Sequence, residues 1–257
     1  MTKEPKRTSP LPRDLRQMTD ARVLLGRFGA GVPTRAAQSF LLDHARARQA
    51  VWSRVDWASV EAGLNHLGRG IVDVTSRAGD RATYIRRPDL GRMLAAEAAE
   101  RLTSIAPGCD VAIILADGLS ARAIDINAVP LTKAIVAGLS ERRLAIAPIV
   151  LASQARVAIG DPIAAILGAK VSITIIGERP GLSAADSLGI YLTHAPKTGT
   201  PDSKRNCISN VRDGGLAIAD AADMVASLVV DMLKVGISGV GLKAALGSLP
   251  DLGGNNG

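Results

Sequence analysis

The spacing of hydrophobic residues changes along this chain. Through the first hundred positions they recur at three- and four-residue steps, as in Ala37, Phe40, Leu41 and Ala45, with Asp43, Arg46 and Arg48 turned outward. That period predicts helices at 14–25, 34–51, within 56–67 and at 91–102. Thr34 is placed to cap the second, because a threonine oxygen can accept an orphan amide bond. From Cys109 the pattern becomes short continuous apolar runs, Asp110 to Ala116, Leu144 to Leu151 and Val171 to Ile176. Helical stretches lie between them, from after Asp117-Gly118 to Leu139 and from Pro162 to Leu167. Strand and helix alternating in this way predict right-handed βαβ units. The expected fold is therefore α/β, a parallel Rossmann-like sheet with helices on both faces, preceded by a mostly helical N-terminal part. Gly189 to Thr193 is a candidate further strand. A last helix, 217–233, gathers Val225, Leu228, Val229, Met232 and Leu233 on one face. Residues 1–12, with three prolines, read as a disordered lead-in, and the Gly-rich stretch after Gly236 as a fraying end. The expected organisation is a helical, basic part at 1–108, a parallel α/β domain at 109–236 and a flexible tail at 237–257.

Composition narrows this picture. Of 257 residues only six are Phe, Trp or Tyr, so the core must be built from Ala, Leu, Ile and Val. No apolar run reaches the roughly 18–20 residues of a membrane span, and the charged N-terminus lacks the apolar stretch of a secretory signal. Cys109 and Cys207 match no metal-ligand spacing and are too few for a disulfide framework, so a reducing cytoplasm is expected. The net charge of +7 lies entirely in residues 1–108, which carry 18 Lys/Arg, 16 of them Arg, against 11 Asp/Glu. Such a face suits a protein interface, where the arginine fork pairs with carboxylates, or a set of solvated helix faces. Nucleic acid is disfavoured: stacking aromatics are nearly absent and the arginines alternate with carboxylates.

Candidate chemistry sits where the predicted strands end, since ligands of open α/β sheets bind in that crevice. Asp117-Gly118-Leu119-Ser120 enters a helix whose N-terminal amides suit a phosphate; the plainer reading is an ordinary βα turn capped by Ser120. Glu178 follows the third strand, beside Arg179, as either a structural pair or a carboxylate that accepts ligand hydrogen bonds. Cys207 is expected in a loop that converges on the same pocket. No cysteine-hydrolase signature surrounds it, and a single cysteine is usually a small inert residue. His44, His66 and His194 lie far apart without metal spacing. No D-x-H-x-x-G motif, through which some proteins give cobalt a histidine, is present.

Four segments carry a more specific signal: Leu-Asp-His-Ala-Arg-Ala-Arg (42–48), Ala-Asp-Gly-Leu-Ser-Ala-Arg (116–122), Ile-Gly-Glu-Arg-Pro-Gly-Leu (176–182) and Asn-Cys-Ile-Ser-Asn (206–210). Over 14–233 the chain resembles the small (light) subunit of ethanolamine ammonia-lyase. The resemblance implies an enzyme that converts ethanolamine to acetaldehyde and ammonia by a radical route dependent on adenosylcobalamin. It implies a hetero-oligomer with a large subunit whose barrel holds the substrate, with cobalamin between the subunits. Val157, in Gln154-Ala155-Arg156-Val157, together with Glu178 and Cys207, would then touch the cofactor. No catalytic residue and no metal ligand is expected here, and the chain alone would be inactive. The helix at 34–51 would meet the large subunit, with Arg46 and Arg48 as interface forks. No nucleic acid and no membrane are expected, and the setting would be cytoplasm, free or within a bacterial microcompartment. Two rival readings stand beside it. One is a self-sufficient nucleotide-binding enzyme using the 117–120 turn for phosphate and Glu178 as base. The other is a cofactor-free basic scaffold.

Overall fold

The computed structural model describes residues 31–247. The helix expected at 14–25, the lead-in at 1–12 and the last ten residues lie outside the described residues. Six strands form one sheet: β1 (Ile71–Thr75), β2 (Cys109–Ala116), β3 (Ile149–Ser153), β4 (Ala169–Gly177), β5 (Leu188–His194) and β6 (Arg205–Val211). Eight α-helices are described: α1 (Thr34–Trp52), α2 (Trp57–Leu64), α3 (Arg81–Arg86), α4 (Ala96–Thr103), α5 (Ala121–Glu141), α6 (Gly160–Ile166), α7 (Ile218–Val235) and α8 (Leu242–Gly247).

The strand order is β1-β3-β2-β4-β5-β6. The first four run parallel, but β5 pairs antiparallel with β4 and β6 antiparallel with β5. The sheet is therefore mixed, which corrects the expectation of a purely parallel one. The reason lies in the connections. A parallel neighbour requires a crossover of about a dozen residues or more, usually helical, and the segment 178–187 supplies neither the length nor a helix.

Alternation along β2 explains why the central strands read as unbroken apolar runs. Val111, Ile113 and Leu115 enter a core shared with α2, α5 and α7. Ala112, Ile114 and Ala116 enter a second core shared with α4 and α6. A strand covered on both faces has no polar side to show. Helix α5 has the length and apolar composition of a membrane span, yet ten of its side chains are buried in the molecule's own core.

Several local expectations are corrected. Strand β1 arises within the N-terminal part read as mostly helical, where Ile71-Val-Asp-Val-Thr75 forms a short edge strand with Asp73 exposed. Strand β3 begins at Ile149 rather than Leu144, after Pro148, which has no amide to give a ladder. Helix α4 starts at Ala96 rather than Gly91, and Thr34 is the first helical residue of α1 rather than its cap, with Pro33 in the cap position. Within the stretch expected to fray, Ser238 accepts from the His194 amide (2.9 Å) and Leu242 is buried.

One buried ion pair fastens the antiparallel edge to the parallel part. Arg205, at the start of β6, donates Nη1 and Nη2 to the two carboxylate oxygens of Asp161 in the first turn of α6, at 2.6 and 2.7 Å. Both side chains are almost wholly buried, at 4% and 1% exposure. Thr193 Oγ1 and the Thr200 carbonyl accept the second donors of Nη1 and Nη2 at 3.0 and 2.8 Å, and Nε donates to Asp202 at 3.3 Å. Removing one member leaves the other charged and buried, a loss of about 3–5 kcal/mol. Asp161→Ala is therefore expected to lower stability by that amount, read as a shift in the urea unfolding midpoint, and more than Asp202→Ala, whose carboxylate is 89% exposed.

Candidate functional site

The strands β2, β3 and β4 end side by side, and their three following loops build one wall of a site. Asp117, directly after β2, is 5% exposed. Its carboxylate accepts the amides of Gln154 and Ala155, both at 2.9 Å. It also accepts Nη1 of Arg81 at 3.3 Å. Burial pushes the Asp117 carboxyl up, against the amides and the Arg81 guanidinium, which pull it down. Arg81 donates further to the carbonyls of Val51 (2.7 Å) and Gly118 (2.9 Å), so it ties the end of α1 to the same turn. Held by these bonds, Gln154 adopts a left-handed φ of 53°. The Gln154-Ala155-Arg156-Val157 loop is thereby given one shape.

The loops after β2 and β4 touch backbone to backbone. Gly118, at φ 55°, leaves no room for a Cβ against the Gly177 carbonyl, and a Cβ on Gly177 would strike the Ser120 carbonyl. The Leu119 amide donates to Gly177 O at 2.9 Å. Ser120 caps α5 by accepting the Ala123 amide (3.2 Å) while its hydroxyl donates to Ala185 O (2.6 Å). This is the plain capped βα turn. The Leu119 amide and the Ser120 hydroxyl are thereby bonded within the chain.

Beyond the turn lies a cleft of about 800 Å³, within the range of about 300–1,000 Å³ usual for ligand sites. Val157, Glu178 and Cys207, from three separate segments, all line it. Val157 opens the single 3-10 turn before α6. Glu178 follows β4, and its Oε2 accepts the Ser187 hydroxyl (2.5 Å) and the Asn210 amide (3.4 Å). Among the described residues its Oε1 receives no hydrogen bond, so one acceptor is left for a ligand. Cys207 sits on strand β6 rather than in the expected loop, paired in register with Tyr191 of β5. Partial desolvation in the cleft pushes the Cys207 thiol up; the Tyr191 hydrogen bond opposes this and the Glu178 charge adds to it. Tyr191 itself is pushed up to about 12, first by burial and then by Cys207. Both groups are neutral at physiological pH.

Among the lining residues that escaped the sequence reading as site residues are Tyr84, Arg92, Arg156 and Tyr191. The Tyr84 ring meets the guanidiniums of Arg81 and Arg156 at 4.8 and 4.3 Å, in cation–π range, while its hydroxyl donates to Ala155 O at 3.0 Å. Arg156, adjacent to Val157 just past the β3 run, was the one with a visible signal. None of the cleft's lining residues is a histidine. His44 stacks on Phe40 in α1, with ring centroids 6.1 Å apart, and His194 lies on β5.

The family model for the ethanolamine ammonia-lyase light chain (EutC) matches residues 11–243. The chain belongs to that family. Curated relatives agree. It is 50% identical to the ethanolamine ammonia-lyase small subunit of Bradyrhizobium diazoefficiens over 232 residues, covering 90% of this chain and 89% of the relative. It is 46% identical to that of Rhodopseudomonas palustris over 242 residues, 92% and 93% of the two chains. The corresponding subunit of Pseudomonas syringae pv. tomato is 45% identical over 234 residues, covering 90% of this chain and 82% of that one. The chain is thus a subunit of the ethanolamine ammonia-lyase type, a carbon–nitrogen lyase.

The ionisation state of the site is open to direct measurement. Because the Cys207 thiol is held above its ordinary value, alkylation by iodoacetamide is expected to be slow at pH 7–8 and to rise only above pH 9. Peptide mass spectrometry across a pH series reads the site, and full labelling at pH 7 would contradict the assignment.

Proposed function

We propose that this chain is the small subunit of an adenosylcobalamin-dependent ethanolamine ammonia-lyase, and that the cleft past β2, β3 and β4 is one wall of the cobalamin site at the contact with the large subunit. The observation that carries the reading is the convergence of Val157, Glu178 and Cys207 on one cleft. The family resemblance named these residues from segments 21 to 50 positions apart in sequence.

The donor set fits such a guest. Glu178 keeps Oε1 as an acceptor for the amide N–H groups on the corrin rim, while Ser187 and Asn210 hold the carboxylate in place through Oε2. Val157 and the neutral Cys207–Tyr191 pair offer uncharged surface to the macrocycle. Among the described residues that line the cleft there is no histidine. When bound, adenosylcobalamin supplies an adenosyl radical by homolysis of its cobalt–carbon bond. The residues of this chain bind and orient; they move no proton in the reaction. No cluster of acid, base and cation suited to a small amino alcohol was found in the sequence, in keeping with a substrate held on the large subunit.

Helix α1 supports the partner half of the reading. Only Ala50 is buried along it, while Leu41, Leu42 and Trp52 are 63%, 52% and 52% exposed. Arg46 reaches Asp43 at 3.4 Å and is left largely in solvent. An apolar stripe flanked by arginines is what a protein interface uses. The assembly would work in the cytoplasm, free or inside a bacterial microcompartment.

Acetaldehyde release from ethanolamine and adenosylcobalamin is expected only when this chain and a cognate large subunit are mixed, with neither active alone. A stable mixed complex without activity would point to another substrate. If no complex forms, a self-sufficient nucleotide-binding enzyme becomes the better account. Glu178→Gln should weaken cobalamin binding by the assembled enzyme about tenfold, the value of one charge-assisted hydrogen bond, with the subunits still associated in gel filtration. Leu41→Asp should do the reverse: the chain folds, because Leu41 is exposed, and association with the large subunit is lost.

A further inference from the structure

The basic residues of the cleft are unevenly satisfied. Four arginines line it, Arg92, Arg156, Arg179 and Arg205, together with two carboxylates, Glu178 and Asp202. The charge of Arg205 is spent on Asp161 and, at 3.3 Å, on Asp202. Among the described residues no carboxylate lies within ion-pair distance of Arg92, Arg156 or Arg179. Glu178 is thus the one lining carboxylate set against three unpaired guanidiniums.

Arg156 is also held in a fixed pose. Its amide donates to Gly91 O at 2.8 Å, and its stem packs where a Cβ on Gly91 would collide. Its guanidinium lies over Tyr84 at 4.3 Å and donates to Tyr84 O at 3.4 Å. Its Nε is buried with no partner. A buried donor in that state is costly and calls for an explanation. A pre-positioned guanidinium with Nη donors to spare is suited to a phosphate diester, to whose two free oxygens it can give two parallel N–H bonds. Three such groups around one concave surface also concentrate positive potential there.

We infer that Arg92, Arg156 and Arg179 form an anion subsite that receives a phosphate diester, the one in the nucleotide arm of bound cobalamin. This rests on the cobalamin reading of the cleft and adds to it. Glu178 would take the amide-bearing rim, and the arginines the charged arm. The subsite would then discriminate between complete cobalamin and a corrin that lacks the nucleotide.

The test compares hydroxocobalamin with cobinamide, which keeps the corrin and its amides but has no nucleotide arm. Both are titrated against the complex of this chain with a cognate large subunit, with free corrinoid read by absorbance after ultrafiltration. Arg156→Gln and Arg179→Gln are each expected to weaken cobalamin binding by about ten- to a hundredfold, as for loss of a charged hydrogen bond, and to leave cobinamide affinity unchanged. Arg179 has no protein partner among the described residues, so its variant decides the matter if Arg156→Gln lowers the melting temperature. Equal loss for both corrinoids, or no loss for either, overturns the phosphate subsite while the cobalamin reading stands. If the wild-type complex binds neither corrinoid, that reading falls and the subsite with it. Inorganic phosphate or ATP bound more tightly than cobalamin, and lost in the variants, would give the subsite to a free phosphate or nucleotide and overturn the assignment. Dissociation of the subunits in gel filtration would give the arginines to partner carboxylates and overturn it as well.

Discussion

The site end of this molecule depends on one buried carboxylate. Asp117 stands at the end of the central strand β2 and accepts two amides from the loop after β3 and a guanidinium from Arg81. Arg81 is itself 5% exposed and carries the connection to the end of α1 through the Val51 carbonyl. A charge in that position is tolerated only while every partner stays in place, because an unpaired buried ion costs several kcal/mol. The network therefore does more than add stability: it allows the Arg156–Val157 loop a single arrangement. The left-handed backbone of Gln154 is held by the same bonds.

Around that fixed point the cleft is assembled from pieces of different mechanical character. Its parallel wall consists of three loop starts clamped by Asp117 and by the backbone contact of Gly118 with Gly177. Its other wall is the antiparallel pair β5 and β6, bearing Tyr191 and Cys207. That wall is tied back to the body of the fold by the buried Arg205–Asp161 pair. Two desolvated ion pairs thus fix the two walls separately, and neither pair uses the three unpaired arginines that face the cleft. The guanidiniums of the buried pairs and those that line the cleft unpaired are distinct residues here, although all are arginine.

The division between cleft and α1 matches the division of labour expected of a small subunit. The cleft presents acceptors, donors and neutral surface. Helix α1 offers an apolar stripe with little of its own chain against it. The basic excess of the N-terminal part has two uses in this structure. Arg81 is taken into the interior, and Arg46 and Arg48 remain on the helix that faces outward. A count of charges along the sequence cannot separate those uses.

By itself the sequence determined the two-sided α/β core, because strands buried on both faces must be continuous apolar runs and helices covered on one face must repeat at 3.6 residues. It also carried the family, since motifs such as Ile176 to Leu182 are contiguous and need no folding to be read. Glu178 was legible for the same reason: it follows a strand that could only be central. What the sequence left undecided is whatever depends on residues far apart along the chain. The antiparallel β5 and β6, and hence the strand setting of Cys207, follow from connections too short for a crossover and from cross-strand pairing that no local period reports. Edge strand β1 has one exposed face and too few residues to show a period of its own. Arg81 and Asp117 look like any surface pair in sequence, and only the packing of α3 against the sheet end makes them interior. That Arg92, Arg156 and Arg179 are left unpaired was equally invisible. Whether a guanidinium is satisfied is a fact about its neighbours in space, and tertiary structure alone supplies those.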